Sequence, residues 1–206
     1  MDKGYREFDR DTLKLAGEHG IRVYKGAGKL VNCNDGSPRV MGFFCDVEKL
    51  LKIACGGDRE LWTGVYVHES CHMDQYLEKT SYWCKVTVAD YMRYSGLLQG
   101  RVYPQSDIDD SMSRIVMMEA ECEHRALEKI KKYDLDIDPD KYAQLANSYL
   151  YFHSAIAKYK KWYKPNRTPY TLGIIWHEMP KVIMEPEFYR IGNPDIDPDI
   201  FLPCLQ

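Results

Sequence analysis

The run His68-Glu69-Ser70-Cys71-His72, inside VYVHESCHMDQYLE, constrains this chain more than any other feature. Its two imidazoles can serve one ligand only if the backbone between them is helical. Residues four apart on a helix differ by about 40° around its axis, so His68 and His72 point the same way, one turn apart. Two imidazoles need that disposition to reach one tetrahedral zinc ion. Glu69 is rotated by about 100° from His68. It can flank such a metal without ligating it, where a general base belongs. The other reading of the run is a helix whose histidines satisfy core or surface hydrogen bonds. The pair shares its face with Leu61, Val65 and Gln75, a partly apolar face expected to turn inward.

The setting for such a helix is an ordinary one. A length of 206 residues suits one domain. Hydrophobic residues at 45% and charged residues at 29% match a soluble globular chain. The net charge of −3 argues against a nucleic-acid footprint over the whole surface. No apolar run approaches a membrane span, and MDKGYREFDRD carries no apolar signal region. Seven cysteines, an odd number without a C-x-x-C pair, suit neither a disulfide framework nor a cysteine zinc ribbon. A cytoplasmic location with reduced thiols is therefore expected.

Periodicity and punctuation predict an α+β order, with strands first and helices outweighing them. A helix is expected over residues 7–19, then short strands at IRVYKG, KLVNC and RVMGFFCD. Asp46 reads as the cap of a helix VEKLLKIAC that stops at Gly56-Gly57. Longer helices are expected at about 60–82, 110–133 and from Asp138-Pro139 to about Tyr163. Prolines at 165, 169, 180, 186, 194, 198 and 203 predict a wrapping tail, with a strand possible at TLGIIW. The expected division is 1–58 as small sheet plus helices, 59–163 as helical core with the metal site, and 164–206 as tail.

A catalytic zinc takes three protein ligands, and no third histidine follows His72 at close range. RIVMMEAECEHRALEKI, residues 114–130, supplies a remote candidate. With Glu119 as reference, Ile115, Cys122, Ala126 and Ile130 fall within about 60° of it on a helix. Glu119 thus sits at the centre of an apolar stripe. Glu123 lies one turn on, Glu121 points away, and His124 is off the stripe. A carboxylate there is costly unless paired or metal-bound. We assign Glu119 as the third ligand and Glu123 as acceptor for the ring N–H of a ligating histidine. The competing account pairs these glutamates with Arg93 or Arg125.

The H-E-S-C-H run with a downstream E-x-x-x-E helix resembles the gluzincin zinc metallopeptidases, across roughly residues 60–130. In that group one helix supplies two histidines and a base, and a later helix supplies a glutamate ligand. Many members carry E-x-x-x-D, so Glu123 stands where they have Asp. HMDQY and NSYLYF also resemble metallopeptidase-like proteins of tailed phages, which would imply a host cytoplasm. The resemblance implies a zincin-like domain, predominantly helical with a small N-terminal sheet. It implies a zinc cofactor and a peptide or protein substrate, cleaved by a zinc-bound water that Glu69 activates.

Such a site also needs a donor for the oxyanion. Tyr142, Leu145, Tyr149, Phe152, His153 and Ile156 share one face of the fourth helix, and Tyr149 and His153 are the candidates. An aromatic core stripe with a hydrogen-bonded histidine is the alternative. His177, in IIWHEMP, is a further candidate. RVMGFFCD is the strand expected to hold an extended peptide. Cys71 reads as packing. DLDIDPD lacks the glycine and glutamate of a calcium loop and reads as a connection capped by Asp138. KYKKWYKPNR reads as a basic helix end rather than a nucleic-acid contact. The expected activity is that of a zinc hydrolase. The alternatives are a non-catalytic zincin-fold module and a zinc amide hydrolase with a non-peptide substrate.

Overall fold

The computed structural model describes residues 2–32 and 39–206. It is mostly helical with a small three-stranded sheet, as an α+β reading requires. The chain falls into two compact units. The first comprises residues 1–79 and 125–139, the second 80–124 and 140–206.

In the first unit, helix α1 (Lys3–Glu18) starts four residues earlier than expected, because Asp2 caps it by accepting from Tyr5 N at 2.7 Å. Strand β1 (Arg22–Gly26) follows. RVMGFFCD contributes β2 (Gly42–Cys45). The expected strand KLVNC reduces to a single bridge, Val31 to Val40, and Cys33 lies outside the described residues.

The expected helix VEKLLKIAC is instead strand β3 (Leu50–Ala54), the centre of the sheet. It runs parallel to β1, with Arg22 opposite Leu50, and antiparallel to β2, with Gly42 opposite Ile53. Leu50, Leu51, Ile53 and Ala54 are buried, so LLKIA is a short apolar run of the length a central strand needs. Asp46 caps a turn, accepting from Val47 N at 2.8 Å, and Lys49 leaves that turn with φ 49°.

Helix α2 (Arg59–Glu78) packs on β2 and β3. The approach is close at Gly42, where an added Cβ would stand 2.7 Å from Val65 Cγ1 and 2.8 Å from Ile53 Cδ1. Phe8 of α1 sets its ring 5.0 Å from Tyr66 and 5.6 Å from Tyr133. Asp9 accepts from Lys25 and from Tyr66 Oη.

The second unit opens with two helices absent from the sequence reading, α3 (Ser81–Lys85) and α4 (Val88–Leu98). Helix α5 (Gln105–Lys132) contributes its residues up to His124, and α6 (Pro139–Tyr159) nearly its whole length. α6 ends four residues short of expectation, where Lys160 turns out with φ 57°. Trp162 and Tyr163 of the basic KYKKWYKPNR segment pack their rings 5.8 and 5.7 Å from Phe152. TLGIIW forms no strand; α7 (Gly173–Trp176) is a single turn, and α8 (Leu202–Leu205) closes the chain. The tail is held by side chains of α6. Gln144 Nε2 donates to the carbonyls of His177 and Met179 at 3.0 Å each. Asn147 Nδ2 donates to those of Pro180 and Val182 at 2.8 Å each. No helix of the described residues is long and apolar enough to cross a membrane.

α4 is fixed by Asp90, which is fully buried. Thr87 and Asp90 form a reciprocal capping box. Arg114 grips the carboxylate through Nη2 at 2.6 Å and Nε at 3.2 Å, and Arg93 stands at 3.7 Å. Burial alone would raise this carboxyl. Hydrogen bonds from Arg114, Thr87 and Ser111 outweigh that effect and hold it well below the usual carboxylate range. A lowered folded-state value contributes stability that is complete above about pH 4 and is lost as pH falls below it. Urea unfolding between neutral and acid pH should therefore fall less steeply for Asp90→Asn than for wild type. Arg114→Met should cost about 3 kcal/mol at neutral pH, since it takes the two-point partner from a buried charge.

Candidate metal centre

α2 begins at Asp58, whose carboxylate accepts from Leu61 N at 3.0 Å, and ends at Lys79 with φ 53°. It buries residues on several sides, among them Tyr66, Val67, Ser70, Cys71, His72, Met73 and Gln75. Each polar group taken inside needs a partner. On the side away from the histidines, Ser70 Oγ donates to Val67 O at 2.6 Å and accepts from Lys129 Nζ at 2.9 Å. Lys129 also pairs with Asp74 at 2.7 Å.

On the histidine face the ring centroids of His68 and His72 are 4.7 Å apart, edge to face at 88°. His72 is buried, while His68 and Glu69 are half-buried. His72 Nδ1 lies 2.7 Å from Gln75 Oε1, and Gln75 has no exposed surface. The face is less uniformly inward than its composition suggests. Leu61 is 46% exposed, because α2 enters from the exposed turn at residues 56–59, and the burial starts one turn later. The two imidazoles and the glutamate thus share one stretch of helix whose His72 end is deep and whose Glu69 side is open.

The apolar stripe of α5 is present: Ile115, Cys122, Ala126 and Ile130 are buried. Its two carboxylates differ in depth. Glu123 is buried at 6% exposure, and Glu119 is half-buried. Tyr142 Oη donates to Glu123 Oε2 at 2.6 Å. Arg93 faces Asp90 and donates to Ser111 Oγ at 3.3 Å, and Arg125 pairs with Glu78 at 2.8 Å.

Glu119 stands in the electrostatic neighbourhood of Tyr94, Tyr149 and His153. Burial, reinforced by the Glu119 charge, pushes the Tyr149 and Tyr94 phenols well above their ordinary values. For His153, burial lowers the imidazole and outweighs the opposing pull of Glu119 and the backbone carbonyls, so the ring is held neutral. Its Nδ1 is 3.1 Å from Tyr149 O, which can only accept, so Nδ1 carries the proton. The two rings are 4.8 Å apart. The structure thus gathers Glu119, Tyr149 and His153 and adds Tyr94, which sequence reasoning missed because α4 itself was missed. His177 is exposed and stacks on Trp176 at 3.7 Å. Cys71 is fully buried.

Two further partners escaped the sequence reading in role though not in position. Gln75 and Tyr142 were placed on the correct faces, but periodicity reports a face and not a hydrogen bond. Tyr142→Phe removes a donor from a buried carboxylate. It should lower the unfolding free energy in urea by about 1.5 kcal/mol, the value of a hydrogen bond to a charged group. Compared with known protein families, curated proteins and solved structures, the chain matches none.

Proposed function

We propose that the chain is a zinc-dependent hydrolase that cleaves a peptide or protein bond, with Glu69 as its general base. The observation that carries this reading is the pair of imidazoles one turn apart on α2, ring to ring at 4.7 Å, with a half-buried glutamate between them. Two nitrogen donors on one regular helix fit the chemistry of a zinc ligand set. Zinc held there would polarise a carbonyl and acidify water. Glu69 takes the proton of the attacking water and returns it to the leaving amine.

His68 and His72 are two ligands, and Glu119 is the third. Glu123, with Tyr142 as its donor, supports the ligand set. Between the two oxyanion candidates the chemistry favours Tyr149. Its raised value keeps the phenol protonated, whereas neutral His153 already spends its one N–H on the Tyr149 carbonyl. A peptide substrate is favoured over a small amide by β2. Among the described residues it is an edge strand, and it touches α2 at Val65, one turn before the metal-binding residues. An extended peptide would pair with that edge.

Metal analysis of the purified chain should return one zinc per molecule, lost in His68→Ala and in His72→Ala. Glu69→Gln should retain zinc and cut peptide-library cleavage by about a hundredfold to ten-thousandfold, the usual weight of a general base. Zinc lost in Glu119→Ala but kept in Glu121→Ala supports the carboxylate ligand, and the reverse overturns the phase assignment. A zinc-loaded wild type that cleaves nothing sinks the hydrolase reading in favour of a non-catalytic metal-bearing module.

A further inference from the structure

We propose that Gln75 is a positioning residue: it holds His72 in the Nδ1–H tautomer and so reserves Nε2 for the metal. The metal half of this rests on the zinc reading above, while the tautomer stands on α2 alone. A neutral imidazole has one N–H, and the partner of one nitrogen decides which nitrogen carries it. Gln75 Oε1, 2.7 Å from His72 Nδ1, is a carbonyl oxygen and can only accept. The proton is therefore on Nδ1, and the lone pair is on Nε2.

The fold leaves this arrangement little freedom. His72 and Gln75 are three apart on one helix, where side chains are neighbours. Gln75 is fully enclosed and His72 is 8% exposed, so neither group has a water shell to turn into. Rotating the ring away would leave a buried donor and a buried acceptor unpaired. The backbone beneath is anchored as well, since the Gln75 carbonyl accepts from Lys79 N at the end of α2. Metal-ligating histidines generally donate their other ring N–H to a fixed acceptor, which orients the ring and raises its basicity. Here that acceptor is a neutral amide on the same helix. An amide orients as a carboxylate does but adds no charge. The opposite amide orientation would donate to Nδ1, put the proton on Nε2 and remove the metal-binding nitrogen.

Long-range proton–nitrogen correlation spectra of the metal-free, nitrogen-15-labelled full chain report the tautomer directly. For wild type, His72 should show a protonated Nδ1 and a bare Nε2, and Gln75→Leu should redistribute the proton. Zinc affinity, measured by competition with a chromophoric chelator, should weaken about 10- to 100-fold in Gln75→Leu, the range for losing such a partner. It should be kept or tightened in Gln75→Glu. A wild-type His72 protonated at Nε2, or a Gln75→Leu chain with both tautomer and affinity unchanged, overturns the proposal. Should Gln75→Leu fail to fold, the wild-type tautomer and the Gln75→Glu affinity still decide it. A wild type with the expected tautomer but no zinc binding overturns the hydrolase reading and leaves the hold of Gln75 on His72 standing.

Discussion

A polar group taken out of water must find its hydrogen bond inside the protein, and this chain takes many inside. α2 is the plainest instance. It is not a helix with one dry face and one wet one; Ser70, His72 and Gln75 are buried along with Tyr66, Val67 and Met73. Such a helix is made tolerable by partners for its inner polar groups, Ser70 with Val67 and Lys129, and His72 with Gln75. The same pairing that makes α2 stable makes its imidazole faces chemically defined. A ring that spends one nitrogen on structure presents the other to chemistry.

The second unit meets the same constraint by a different route. Its Pro-rich tail cannot build ladders of its own, since proline lacks the N–H. The tail carbonyls are met instead by the amide side chains of α6. Asn147 donates twice to the tail and accepts from Tyr189 Oη at 2.5 Å, while that phenol oxygen accepts from Met184 N at 2.9 Å. Buried Asp90 does for α4 what Asn147 does for the tail, through Arg114 and Thr87. These are side-chain substitutes for secondary structure, and each sits at a residue that composition alone would assign to the surface.

How much was legible follows from the length of the pattern. α2, α5 and α6 repeat their apolar spacing over 20 residues or more, and their existence and register were readable from it. LLKIA was misread because four to five apolar residues support either period, and only the company of β1 and β2 turns them into a central strand. α4 was missed because its apolar Val88, Tyr91 and Met92 point outward while its inner face includes a charged residue, Asp90, so its spacing shows no clean apolar stripe. The phase of α5 gave its buried side and placed both Glu119 and Glu123 on it, but not their relative depth. Depth along a stripe depends on what lies across from it, such as Tyr142, and not on the helix itself.

The sequence by itself determined that His68, Glu69 and His72 share one helix and that the two imidazoles share one direction. Helical geometry makes a spacing of four into a face without help from the rest of the chain. It likewise determined the carboxylate-bearing stripe of α5 and the amphipathic face of α6. Only the tertiary structure decided that His72 and its helical neighbour Gln75 are enclosed together. It alone decided that Glu123 belongs to Tyr142, and that Glu119 shares its surroundings with Tyr94, Tyr149 and His153. Periodicity is a local property fixed by backbone geometry. Burial, and hydrogen bonds between elements such as that of Tyr142 to Glu123, are set by residues distant in the chain, and no local pattern encodes which of them will arrive.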